Sequence, residues 1–333
     1  MSRLLLALCS LVLLLPAVLA SVAKMQNTPD IATPAKKKVV VPKQIWSLGL
    51  KLFGSERELK NILKHTAAPR LANLTWGGTN NMSMWLVRDR GHYWKDLVLD
   101  TEADEYQIRR LIDPGPKFMV DVGANIGSQA IFAMKIQPQT RILALEPVPS
   151  AYFYFVWNLH LNGIPILEQS DLADPSKHGV VPLHQAVSKD GRDVIMDFPS
   201  NAGTELATMM GSRHDESDRY SVPSVVLPDL LQKIGAGRVD LLKIDCEGCE
   251  FEIMPGMKSL ICDRIGVRRV SGEMHHDPAL HPDMLNFFST NEVSLTLKVL
   301  HDCGCSVDSR WMDCGRLSFR DPHSDASDSG DTA

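Results

Sequence analysis

The chain of 333 residues has no basic excess: 35 lysines and arginines stand against 40 acidic residues, a formal charge of −5. A domain that grips nucleic acid by its phosphates carries the opposite balance, so that class of partner is disfavoured. Glycine and proline stay near their ordinary share, 22 and 20 residues, which excludes a collagen-like or low-complexity chain. With 44 % apolar and 23 % charged residues, wholesale disorder and coiled coil are excluded too. The length suits one large domain or two modest ones, with enough chain to bury a core.

One absence is local. No charged residue falls between Arg3 and Lys24; a leucine-rich run at 4–15 is followed by Pro16 and the small residues Ala17 and Ala20. That order predicts a secretory signal over residues 1–20, cut after Ala20, with an uncleaved membrane anchor as the alternative. Either way the body of the chain is expected in the lumen of the secretory pathway (Golgi or ER) or outside the cell. Asn73-Leu74-Thr75 and Asn81-Met82-Ser83 are glycosylation sequons, consistent with such a route. Cys9 lies in the apolar run. The remaining cysteines, Cys246, Cys249, Cys262, Cys303, Cys305 and Cys314, are even in number and clustered late in the chain, so disulfides are expected, with a zinc site as the alternative.

Residues 21–44, with Pro34 and the run Lys36-Lys37-Lys38, read as a stem. Residues 45–116 form an extension of unknown role, with an amphipathic stretch at 45–63 and a region rich in Trp, Gly and Asn at 76–85. Residues 321–333, rich in Asp and Ser, read as a disordered acidic tail.

Between them, strand and helix patterns alternate. Strands are expected at 117–121, 141–146, 180–187, 239–245 and 267–274, and helices at 128–136, 150–161 and 228–234. Ser150 is expected to cap the second helix and Gly163 to close it, and Asp190-Gly191 signals a hairpin into 193–198. This alternation predicts an α/β fold, a largely parallel sheet with helices on both faces.

Where the first strand meets the first helix stands Asp121-Val122-Gly123-Ala124-Asn125-Ile126-Gly127. Glycines there let bare backbone approach a ligand. The spacing is D-x-G-x-x-x-G, not the G-x-G-x-x-G that aims amides at a pyrophosphate, so a nicotinamide oxidoreductase is disfavoured. S-adenosylmethionine carries no phosphate and fits better. Glu146 closes the second strand, where an acid can accept hydrogen bonds from both ribose hydroxyls.

The blocks FMVDVGANIG at 118–127, LEPVP at 145–149, the pair Asn158 and Asn162, and LLKIDCEGCE at 241–250 resemble the signature of the FkbM-type S-adenosylmethionine-dependent methyltransferases. The resemblance runs from about Lys117 to His275, with weaker matches at 186–191, Asn201 and Gly203. It implies a Rossmann-like methyltransferase domain, here placed at 117–320, and O-methylation of a hydroxyl on a sugar or natural product. By position, Asp121 and Gly123 would line the methionine end of the cofactor, Asn125 and Gly127 would shape the turn, and Glu146 would hold the ribose. Asn158 shares a helix face with Asn162 and either joins the cofactor site or braces the helix, as Asn162 is expected to do.

A neutral alcohol is a poor nucleophile and needs a base. Asp245, at the carboxyl end of the fourth strand, leads, with Glu247 second and a histidine of the pair His275-His276 as a further candidate. Asp245 could instead only hydrogen-bond Lys243 or a loop amide, or bind the cofactor. Glu273, Asp245 and a histidine could gather a divalent metal, but no metal ligand is assigned. Cysteine at 246 and 249 departs from the small apolar residues usual in that block. The expected enzyme is a luminal O-methyltransferase acting on a glycan or other hydroxylated secretory substrate. A catalytically inactive secreted binding protein on the same fold is the alternative.

Overall fold

The computed structural model describes residues 104–109, 115, 117–197, 219–235, 237–262, 266–275, 290–307 and 311–314, the strands Arg70–Trp76 and Met82–Arg88, and short pieces within 47–57. The expected signal, stem and acidic tail, and also His276, Asn201 and Gly203, lie outside these residues. Among the described residues no helix is long and apolar enough to cross a membrane.

Strands β1 (Arg70–Trp76) and β2 (Met82–Arg88) form an antiparallel pair of their own. The main sheet begins with β3 (Lys117–Val122), whose six residues are all buried. Helix α1 (Ser128–Ile136) leads to β4 (Thr140–Leu145), likewise buried throughout, and α2 (Pro149–Leu161) leads to β5 (Gly179–Leu183). Near-continuous apolar runs of this kind mark strands covered on both faces. Short strands β6 (Ala186–Val187), β7 (Val194–Asp197), β8 (Arg219–Val222) and β9 (Ser224–Val225) follow. Helix α3 (Leu227–Ile234) then precedes β10 (Leu241–Ile244); α4 (Cys249–Ile253) and α5 (Lys258–Cys262) precede β11 (Val270–Glu273). Helix α6 (Thr290–Asp302), β12 (Ser306–Val307) and β13 (Trp311–Cys314) complete the described chain.

The main sheet has seven strands in the order β12-β13-β11-β10-β3-β4-β5. The five from β11 to β5 are parallel, and β13 pairs antiparallel with both β11 and β12. From β3 the chain walks outwards through β4 to β5, then returns to β10 on the other side of β3. The order therefore reverses between β3 and β10, the place where open α/β sheets hold ligands beyond the strands' carboxyl ends. This is the Rossmann-like, largely parallel fold the sequence predicts. Phe118, Val120 and Val122 share a core with α3, α4 and α6 residues such as Leu230, Phe251 and Leu300. Strand alternation turns Met119 and Asp121 to the opposite face. Helix α1 packs against β4 and α2, and α2 against β5.

Three local expectations are corrected. The strand expected at 180–187 is two strands: β5 stays in the main sheet, while β6 pairs with β9. The turn at Asp190-Gly191 is present, with Gly191 at φ 73°, but it makes no hairpin, because β7 pairs with β8 from beyond 218. Helix α2 starts at Pro149 with Val148 as its N-cap, so Ser150 falls within the first turn and not at the cap position; the φ of proline is already helical. Its far end follows the sequence: Gly163, at φ 66°, donates to His160 O and Ile164 donates to Leu159 O, the paired bonds of a Schellman ending.

Candidate functional site

The turn after β3 is tied to its neighbours by backbone. The amides of Gly123 and Ala124 both donate to Leu145 O at 3.0 Å. Gly123, at φ 80°, lies so close to β10 that a Cβ would stand 1.7 Å from the carbonyl oxygen of Asp245. Gly127, at φ 84°, has Phe155 where its Cβ would be, at 2.0 Å. Neither position tolerates a side chain, so these glycines bring the turn against β10 and α2. Asn125 sits between them in the left-handed region at φ 50°. Asn158, fully buried on α2, donates from Nδ2 to Ile126 O at 2.9 Å, and so braces the turn from behind. Asn162 Nδ2 bonds back to Asn158 O at 2.8 Å, as expected of a brace at the helix end.

Glu146 stands just past β4, buried beside this turn. Its Oε2 accepts the Asn125 amide at 2.7 Å and its Oε1 the Val148 amide at 2.8 Å. Burial pushes its pKa up to about 7 against the pull of both amides. Each oxygen keeps a second lone pair, so the carboxylate can still accept from a ligand's hydroxyls.

On the other side of Gly123 lies Lys243, a buried cation in an otherwise apolar strand. Its Nζ donates to Gly123 O at 2.7 Å and lies 3.1 Å from Asp121 Oδ1 and 3.6 Å from Asp245 Oδ2. Burial alone would lower the lysine pKa, but the two carboxylates outweigh it and raise it. For Asp121 the balance is reversed: burial wins over Lys243 and raises the carboxyl. Asp245 is half-buried, which would raise its pKa, yet Lys243 and His275 hold it below the usual range. The Tyr106 hydroxyl donates to Asp245 Oδ2 at 2.8 Å, and Lys243 Nζ lies 5.1 Å over the Tyr106 ring.

Beyond Asp245 the chain makes a tight turn, with Glu247 at φ 53° and Gly248 at φ 106°, spanned by a Cys246–Cys249 disulfide. Glu247 Oε2 reaches to 3.4 Å from His275 Nε2, and Asp245 Oδ1 to 3.8 Å. His275 follows β11 and is buried; its Nδ1 lies 2.7 Å from Glu250 Oε1. Burial would lower the imidazole pKa, but Glu250 and Glu247 raise it well above the usual value. Burial raises the pKa of Glu247.

The residues expected from the sequence thus fall into two adjoining groups. Gly123, Asn125, Gly127 and Glu146 form one, with Asn158 behind it. Asp245, Glu247 and His275 form the other, and Lys243 joins the two through Gly123 and Asp121. Among the described residues Glu273 is not part of the donor cluster; Glu247 takes the place expected for it. Sequence reasoning missed Glu250 and Tyr106 and read Lys243 only as a partner for Asp245. Lys243 carried a signal, a charge amid the strand apolars Leu241, Leu242 and Ile244. Glu250 closes the E-G-x-E block, where Glu247 drew attention first. Tyr106, from the extension at 45–116, carried none. The other cysteines pair as Cys262–Cys303 and Cys305–Cys314, so all six lie in disulfides and a cysteine zinc site is replaced by them.

A crevice of this form can hold a nucleoside-like ligand by a ribose at Glu146 and present its far end to the carboxylates beyond Gly123. The chain is similar to known methyltransferases. A family model described as "Methyltransferase FkbM domain" matches residues 121–304, more than half of the chain. The chain is 32 % identical over 170 residues to "Methyltransferase sdnD" of Sordaria araneosa, covering 46 % of this chain and 64 % of that protein. It thus spans less than two thirds of that relative's length. It is 23 % identical over 193 residues to "31-O-demethyl-FK506 methyltransferase FkbM" of Streptomyces tacrolimicus, covering 54 % and 74 % respectively. Among solved structures, Aeropyrum pernix fibrillarin with bound S-adenosyl-L-methionine matches over 73 % of this chain and 97 % of its own, at 11 % identity and a TM-score of 0.34.

Proposed function

This chain belongs to the FkbM methyltransferase family, and from that premise we propose that it transfers a methyl group from S-adenosylmethionine to a hydroxyl oxygen. The family match and the expected cofactor agree. The observation that carries the proposal is the contact of Gly123 with the Asp245 backbone, which puts a ribose acceptor, Glu146, and a candidate base, Asp245, on either side of one turn. Glu146 accepts from the ribose hydroxyls, and the bare backbone at Gly123 lets the methionine end lie along the turn towards Lys243 and Asp121. Asn158 acts on the cofactor only through the turn it braces.

Methyl transfer is an in-line displacement, and its main demand is position, with the reacting atoms about 3 Å apart. The acceptor oxygen forms a bond to the methyl carbon as the carbon–sulfur bond breaks, and the electron pair returns to sulfur. The hydroxyl proton goes to Asp245, which Tyr106 and Lys243 orient and keep ionised. Glu247 and His275 border the place where the acceptor enters.

For the acceptor we favour a hydroxyl on a glycan or another secretory substrate. The three disulfides support a route through an oxidising compartment, as does the apolar amino-terminal run. The O-methylating name of the Streptomyces relative favours oxygen over nitrogen. The test is transfer of a tritiated methyl group from S-adenosylmethionine to released secretory glycans. Label that stays on the glycan through mild alkaline hydrolysis is the ether expected. Label lost as methanol is an ester and contradicts hydroxyl methylation, and no label with a folded protein supports the inactive binding protein instead.

A further inference from the structure

Three acceptor groups crowd one another at the carboxyl edge. One donor atom from each of Asp245, Glu247 and His275 lies within 4.8 Å of the other two. The imidazole is oriented from behind: Glu250 Oε1, a carboxylate oxygen, sits 2.7 Å from Nδ1, so Nδ1 carries a proton. Glu250 is itself fixed by the amides of His275 at 2.9 Å and Gly248 at 3.0 Å. Nε2 then faces Glu247 Oε2 at 3.4 Å and Asp245 Oδ1 at 3.8 Å. Two carboxylate oxygens and a ring nitrogen in that arrangement call for a cation among them.

A proton on Nε2, reaching Glu247 at 3.4 Å, is one such cation, and a divalent ion would compete with it for the same nitrogen. A six-coordinate ion with bonds of about 2.1 Å sets neighbouring ligands about 3 Å apart, so both oxygens would draw in towards Nε2 to hold it. A carboxylate on the far nitrogen of the ring is also how metal-bound imidazoles are held. Asp245 divides its oxygens accordingly: Oδ2 takes the Tyr106 hydroxyl and faces Lys243, while Oδ1 is turned to His275. Four carboxylates, Asp121, Asp245, Glu247 and Glu250, gather here around Lys243 and His275, so the local charge favours a further cation.

We propose that Asp245 Oδ1, Glu247 Oε2 and His275 Nε2 bind one divalent cation of the Mn2+ class, with Glu250 positioning the imidazole. Two hard oxygens and one nitrogen suit Mn2+ or Mg2+ better than a thiolate-seeking metal. The ion's remaining positions take water and the acceptor hydroxyl, whose pKa it lowers. That catalytic role rests on the methyltransferase reading; the ion site itself does not.

The test is titration of Mn2+ into the chelator-treated full chain by electron paramagnetic resonance, with S-adenosylhomocysteine binding measured on the same sample. One Mn2+ per chain is expected, displaced by Mg2+, with a pulsed spectrum showing nitrogen coupling from one imidazole. His275→Gln should remove that coupling and weaken Mn2+ binding by about tenfold or more. Because the coupling is read on the wild type, the test does not depend on the variant folding. A wild type that binds the nucleotide but no Mn2+, or holds Mn2+ without nitrogen coupling, overturns the ion site and leaves the transferase proposal standing. A wild type that holds Mn2+ with the coupling but binds no nucleotide supports the ion site and removes the transferase proposal.

Discussion

Glu146 meets two opposed demands. Its burial favours the neutral acid, with a pKa of about 7, whereas a ribose at its oxygens needs an acceptor and so the carboxylate. If it holds the ribose as proposed, the group must lose a proton below about pH 7 to bind the cofactor. The affinity for S-adenosylhomocysteine should fall as pH drops from 7 towards 5, by up to about tenfold per unit, and level off above 7. Glu146→Gln should bind more weakly and with no such slope; calorimetry across that range checks both. Gly123 is a second residue with little latitude. A methyl group there would meet the Asp245 carbonyl, at a φ that also strains any L side chain, so Gly123→Ala should cost about 2–4 kcal/mol in denaturant unfolding. Gly163→Ala, at φ 66° with nothing within 4 Å, is the comparison and should cost only about 1 kcal/mol. Equal losses at the two would mean that the close approach of the turn to β10 is not what fixes Gly123.

At the scale of elements, the five parallel strands were legible because each is an apolar run bounded by turn residues, and their existence needed no partner to be known. The glycine turn, Glu146 and Asp245 were legible for a related reason, since each stands where a strand ends. What escaped was pairing. Nothing local in 180–187 says that Ala186 and Val187 leave the sheet for β9, and the Asp190-Gly191 turn cannot show that β7 finds its partner beyond 218. The antiparallel edge β12–β13 and the helices α4 and α5 are too short to carry a period. Tyr106 escaped for the same reason, as its link to Asp245 spans 139 positions. The disulfides divide by loop length. Cys262–Cys303, spanning 41 positions, ties α5 to the end of α6, and losing it through a paired serine substitution should cost about 4 kcal/mol. Cys246–Cys249 spans 3 and should cost less than half of that. Thermal unfolding of the two paired variants gives the comparison, and a larger loss at Cys246–Cys249 would show that its turn supports more than itself.

For the whole molecule, the account stands on one claim: the crevice where the strand order reverses, between β3 and β10, is an S-adenosyl cofactor site. The base and the acceptor both depend on which end of the cofactor faces Asp245, and in this account Glu146 sets that end by holding the ribose. The most direct measurement is calorimetric titration of the full chain with S-adenosylhomocysteine at pH 8, wild type against Glu146→Ala. Saturable binding at one site per chain is predicted, weakened about fivefold or more in the variant, because a buried hydrogen-bonding group worth about 1–3 kcal/mol is lost. A folded wild type that binds nothing, or a variant that binds as tightly as the wild type, would contradict it.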